Sequence, residues 1–173
     1  ATFAGTSLTS VTVEWRHQTA GGTLGAAQTT AIDVAGGTPA INLATGTASA
    51  ATGCDWDIEF DAEELAILPN TGCGVGTAPL DPTETFAAIT NAANALEYGG
   101  FLAGRAGAVP YTTSLDDPKG PFLYNLAGDS RLTPTFNIYL VRIGSEVYKF
   151  QLIGYYGPTG ASGFPTIRFA RIQ

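Results

Sequence analysis

The chain closes on KFQLIGYYGPTGASGFPTIRFARIQ, residues 149–173, and no other stretch limits the fold as much. Phe150 and Leu152 alternate with polar neighbours before an apolar run to Tyr156, and Phe164 to Ile172 alternates again. A period of two marks a strand with one face buried. Between the two runs, Gly157–Gly163 holds three glycines, a proline and a serine. Two β-rich runs bridged by such a cluster read as an antiparallel pair. Phe150, Leu152, Tyr155, Ile167 and Phe169 are its expected core residues.

The same signal recurs upstream. TPTFNIYLVRIG and SEVYKFQLIGYYG flank a tight turn at Gly144–Ser145, and PFLYNLAG precedes them. Near the N-terminus, Val11, Val13 and Trp15 alternate with Thr12 and Glu14, and AIDVAGG and PAINLATG read as a meander. One segment departs from the period. In DPTETFAAITNAANALEYGG, Asp81 is an N-cap, Pro82 sits at the first helical position and Glu84 completes a capping-box spacing. Phe86, Ile89, Ala93 and Leu96 follow at helical intervals, and Gly99–Gly100 stops the run. The expectation is an all-β, mainly antiparallel fold with one α-helix near residues 82–97. Residues 1–30 would form an N-terminal strand and flexible loop, packed on the domain or on a neighbour, and residues 31–173 the β domain.

Composition narrows the function. The chain has 173 residues, 45% of them hydrophobic and 13% charged, which suits one domain with a sizeable core. Eight basic against 15 acidic residues leave a net charge of −7 and no basic stripe, so nucleic acid is not an expected partner. No window approaches the 18 or so consecutive apolar residues of a membrane span. The sequence begins at Ala1 and has no methionine, which points to removal of an N-terminal leader and to export. The expected location is the periplasm, the outer-membrane surface or the extracellular space. Cys54 and Cys73, the two cysteines, most simply form a disulfide in that setting. The competing reading, half of a metal site, has His17 as its sole imidazole and no CxxC pair.

Chemistry has little to work with. In CDWDIEFDAEELAIL, Trp56, Ile58 and Phe60 alternate with Asp55, Asp57, Glu59 and Asp61, giving an aromatic face and a carboxylate face. Carboxylates on one strand face stand about 6.5–7 Å apart, whereas calcium needs converging oxygens. A solvated face is the better reading and calcium is not expected. Any cation site would fall where the period breaks, at Asp61, Glu63 and Glu64. A Ser-His-Asp triad would depend on His17, no G-x-S-x-G elbow occurs, and no nucleotide-binding motif is read. The chain is expected not to be an enzyme.

Four segments occur in a telling order: INLATG, WDIEF, FLYNLAG with LTP, and IYLVRIGSEVYKFQLIGYYGPTGASGFPTIRF. Together they resemble the HmuY-type haem-binding proteins, exported bacterial haemophores often lipid-anchored to the outer membrane. The resemblance runs from about Ala31 to the C-terminus. It implies a hand-like all-β fold that grips haem in an apolar cleft without catalysis. Family members hold the iron with a pair of His or Met side chains on loops ahead of the C-terminal strands. The matching region here, Asn91–Phe122, contains neither. The fold therefore carries over and the ligand pair does not. His17, Tyr98, Tyr111 and Tyr124 are the remaining candidate haem ligands.

Two other readings stand beside haem binding. A β-rich N-terminus suits a surface structural or filament subunit whose first strand completes the sheet of another copy or of another cell-surface protein. A peripheral cation- or protein-binding module is the third.

Overall fold

The computed structural model describes residues 10–16, 23, 25–33, 38–61, 66–79, 85–92, 111–112 and 122–172. In chain order the strands are Ser10–Trp15 (β1), Gln28–Asp33 (β2), Pro39–Asn42 (β3), Thr47–Ala50 (β4), Ile58–Asp61 (β5), Ala66–Pro69 (β6) and Val75–Pro79 (β7). They continue with Tyr111–Thr112 (β8), Phe122–Tyr124 (β9), Leu132–Pro134 (β10), Ile138–Ile143 (β11), Glu146–Tyr156 (β12) and Ser162–Arg171 (β13). Among the described residues the one helical element is a 3-10 turn at Thr71–Cys73.

The strands form a six-stranded sheet in the order β2-β1-β13-β12-β11-β7, a four-stranded sheet β4-β3-β5-β6 and a three-stranded sheet β10-β9-β8. Pairing is antiparallel except for β1 with β13 and β8 with β9. The C-terminal hairpin lies in the middle of the large sheet. Its partner turn at Gly144–Ser145 joins Ile143 to the opposing Glu146, with Gly144 at φ 58°. Such a two-residue connection needs a left-handed backbone, which glycine adopts without strain. β1 is engaged within its own chain, paired to β2 on one side and β13 on the other.

Burial on both faces of β12 fixes the layering. Tyr148, Phe150 and Leu152 join Tyr139, Val141, Ile167, Phe169 and Val75 in the main core. Against them the four-stranded sheet lays Ile41, Ile58, Phe60 and Ile67. On the opposite face, Leu140, Ile138, Val147 and Ala170 are covered by Phe86 and Ile89. Lys149 and Gln151, which share that face by the period of two, are buried as well.

The helix expected over residues 82–97 is not present in the part of that segment the structure describes. In the described part, residues 85–92, there is one turn, closed by the Ala88 N–H donating to the Thr85 carbonyl at 3.0 Å. The cause lies on the neighbouring sheet. Continuing a helix would require the Phe86 and Ile89 carbonyls to accept from N–H groups four residues on. Here both carbonyls accept from the buried ammonium of Lys149, the second at 2.9 Å. Phe86 and Ile89 do share a buried face, as their spacing implies, but a single docked turn suffices to bury them.

The aromatic–carboxylate alternation around Trp56 also differs from expectation. The strand begins only at Ile58, and Asp57 is 5% exposed rather than solvated. Its carboxylate accepts the Leu43 N–H at 2.7 Å, while its own backbone bonds Ile41 and Asn70. Ahead of it, Cys54 and Cys73 are disulfide-bonded, with their Cα atoms 5.6 Å apart.

Candidate functional site: an aromatic corner on the small sheet

β12 is long enough to run past the main core and meet the three-stranded sheet. Its register against β13 shifts between Leu152 and Gly154 and again between Gly154 and Tyr156. These irregularities break the strict alternation of faces. Two consecutive tyrosines, Tyr155 and Tyr156, thereby come into contact, with ring centroids 5.2 Å apart and planes at 88°. Tyr155 packs edge-on against Phe122 of β9, also at 5.2 Å. At the other end, the Arg131 guanidinium carbon lies 4.2 Å from the Tyr156 ring centroid. Phe122, Tyr155, Tyr156 and Arg131 thus form one continuous array.

Backbone bonds hold the array in place. The Tyr156 hydroxyl accepts the Leu132 N–H at 2.9 Å and so ties β10 to β12. In the β9–β10 connection the Asn125 N–H donates to the Arg131 carbonyl at 2.8 Å, and the Ser130 N–H to the Asn125 side-chain oxygen at 2.7 Å. Asn125 and Ser130 both have φ 57°, a left-handed conformation that Asn tolerates better than most residues. The Arg131 N–H is itself taken by the Asp129 carboxylate at 3.1 Å. Arg131 therefore projects from a fixed loop.

Leu126 and Phe136, 47% and 55% exposed, are the large exposed hydrophobics of the described residues, and they flank β10 on either side along the chain. Phe136 has φ 59°, a real outlier for a bulky side chain. It is held there because the buried Gln151 amide donates to its carbonyl, and Gln151 is fixed in turn by the Arg168 Nε at 2.5 Å. Burial and the neighbouring Tyr156 push the Tyr155 phenol above its ordinary range.

Of the residues singled out from sequence, two candidate haem ligands fall on this small sheet. Tyr124 is on β9, half-buried, with its Cα opposite Leu132; the Tyr111 Cα is opposite Phe122. His17 and Tyr98 lie outside the described residues. Glu63 and Glu64 also lie outside them, and Asp61 ends β5 opposite Ala66. Among the described residues no three His, Cys, Asp or Glu side chains cluster as a metal site would need. The donor set of the described corner does not fit an axial pair on haem iron. It offers phenols alone, and the one at Tyr155 is disfavoured as a phenolate.

Sequence reasoning passed over Arg131 and Tyr156. The tandem Tyr155–Tyr156 after Gly154 was visible as a break in alternation, but the loop that carries Arg131 gives no local sign of its tertiary partner.

Comparison with known proteins supports the fold level of this description. No protein-family model matches the chain, and no curated protein matches it. Among solved structures it is similar to that of a proposed lipoprotein from Bacteroides fragilis, with a TM-score of 0.50 and 18% identity. The similarity covers 76% of this chain and 80% of that one. At that identity the likeness is one of fold alone. No helix among the described residues is long and apolar enough to cross a membrane.

Proposed function

We propose that this is an exported, non-enzymatic binding protein that receives a flat, largely apolar ligand at the aromatic corner, haem being the ligand its HmuY resemblance names. The observation that carries this reading is the Phe122–Tyr155–Tyr156–Arg131 array; Leu126 and Phe136, on the chain segments either side of β10, add exposed apolar surface. Binding sites for small molecules combine aromatic walls with a few fixed polar groups, and exposed apolar surface is a common mark of them. The disulfide and the lipoprotein fold neighbour favour an oxidising compartment and a place at the cell surface. The pairing of β1 inside its own sheet weighs against a subunit that lends this strand to another copy.

Titrating the chain with haemin and following the Soret band tests the reading. A saturable red shift, weakened when Leu126 and Phe136 are both changed to Ala, is expected. An unsaturable, unshifted spectrum in both redox states would remove it.

A further inference from the structure

We infer that the aromatic corner selects planar ligands bearing an acidic group, with Arg131 as the residue that reads the charge and without a bond from protein to metal. This rests on the flat-ligand reading above and names the class of ligand within it. Arg131 is an exposed cation on a chain of net charge −7, and it makes no ion pair among the described residues. Its N–H contact to Asp129 is a backbone bond and does not engage the guanidinium. The guanidinium carbon lies 4.2 Å from the Tyr156 ring centroid, on a residue that is exposed. A guanidinium held this way offers a face for a π-system and a fork of donors for a carboxylate.

The phenols point in the same direction. The Tyr156 hydroxyl already accepts the Leu132 N–H, and the Tyr155 phenol is raised by burial and by its neighbour. The Tyr155 phenol is therefore disfavoured as the phenolate that ferric iron would require, and the Tyr156 oxygen is already tied to β10. Stacking and charge are the recognition elements that remain. Arg131 contributes them from a loop whose backbone is fixed before any ligand arrives.

The test compares three probes on the full chain by absorbance and by quenching of protein fluorescence: protoporphyrin IX without metal, its dimethyl ester, and haemin. The metal-free diacid should bind within about threefold of haemin, and the ester at least tenfold more weakly. Arg131→Gln keeps much of the stem and removes the charge. It should weaken the diacid about tenfold and leave the ester unchanged, with an unaltered melting temperature confirming the fold. Equal binding of ester and diacid, or an indifferent Arg131→Gln, would overturn the inference and leave the flat-ligand reading standing. Haemin binding far more tightly than the metal-free diacid would overturn it in favour of an iron ligand. Saturable binding of none of the three would overturn both.

Discussion

The ammonium of Lys149 lies 4.5 Å from the centre of the Phe86 ring and donates to the carbonyl of that same residue. Its second bond, to the Ile89 carbonyl, closes a clamp that fixes residues 85–92 on the outer face of the large sheet. Arg168 stacks on the same ring, its guanidinium carbon 4.3 Å from the centroid. A fully buried lysine thus does the work that main-chain N–H groups would do in a helix.

Removing this clamp should loosen the covering turn. Lys149→Ala leaves a cavity and deprives two buried carbonyls of their donor, so a loss of about 2–4 kcal/mol is expected. Lys149→Met fills most of the volume and removes a desolvated charge, and it should cost clearly less. Urea melts measure both variants, and hydrogen exchange of residues 85–92 should rise in each. An alanine variant as stable as the parent would show that the clamp contributes nothing.

Stability should rise with pH over a narrow alkaline window. Burial, with a smaller contribution from Arg168, pushes the Lys149 ammonium down from 10.5 to about 8. Below pH 8 both folded and unfolded chains hold this proton, and the penalty of burying it is fully present. Between about 8 and 10 the unfolded chain keeps a proton that the folded one has lost, which favours the fold. Above about 10 the buried phenols reverse the slope: Tyr139 is pushed up to about 12 by burial, and Tyr148 and Tyr155 are raised too. Unfolded phenols ionise there while the folded ones do not. Urea midpoints at pH 7.5, 9, 10 and 11 should pass through a maximum, and Lys149→Met should lack the rising limb. A flat profile for the parent chain contradicts this assignment.

The strands of the C-terminal half were legible because period-two burial is written locally, residue by residue, from Ile138 to Arg171. The helix was misread for a reason equally physical. A spacing of three between Phe86 and Ile89 fits one docked turn as well as a long helix, and the deciding donor stands 60 residues away in sequence. Asp57 was misplaced in the same way, since the Leu43 N–H that accommodates it is 14 residues distant. The corner was half legible. Its aromatic residues stand out in the sequence, but the register shifts in β12 that bring Tyr155 against Tyr156 depend on pairing with β13.

Asp57 separates charge from hydrogen bonding. Burial pushes its carboxyl above the ordinary range, Glu146 adds to this, and the Leu43 N–H pulls it back. A raised carboxyl favours the fold as pH falls and loses that advantage as pH rises through its folded value. Asp57→Asn keeps an acceptor for Leu43 and removes the buried charge, so it should be near neutral at pH 7. Asp57→Ala leaves the N–H unpaired and should cost about 1–3 kcal/mol. Equal losses in the two variants by urea melt would locate the effect in the charge instead.

Thr77 of β7 is 2% exposed, and its hydroxyl has no partner among the described residues. It stands opposite Val141 and shares the strand face of Val75, which belongs to the main core. Thr77→Val keeps the shape and removes the unpaired hydroxyl, so a gain of about 1 kcal/mol is expected. Thermal melts would show it as a higher midpoint, and a drop would reveal a polar partner at that site.

Two devices hold the segment before β5, and they should act together. The Cys54–Cys73 disulfide closes a sequence separation of 19 residues, a loop worth about 3 kcal/mol in lost unfolded-state entropy. Independently, the buried Asn70 amide donates to the Gly53 carbonyl at 3.0 Å and to the Trp56 carbonyl at 3.1 Å, on either side of Cys54. The Asn70 backbone carbonyl accepts from the Cys73 and Val75 N–H groups, which ties the 3-10 turn to the same segment. The bridge by Asn70 does not depend on sulfur, so Cys54→Ser with Cys73→Ser should lower stability by about 3 kcal/mol and leave the chain folded. Asn70→Ala alone frees the buried Trp56 carbonyl and the partly buried Gly53 carbonyl and should cost about 2 kcal/mol. Residues sharing one segment do not act independently, so the triple variant should depart from the sum of the two losses. Urea melts of all four proteins complete the cycle. Strict additivity would mean that the disulfide and the amide brace separate parts of the fold, contrary to their shared hold on residues 53–56.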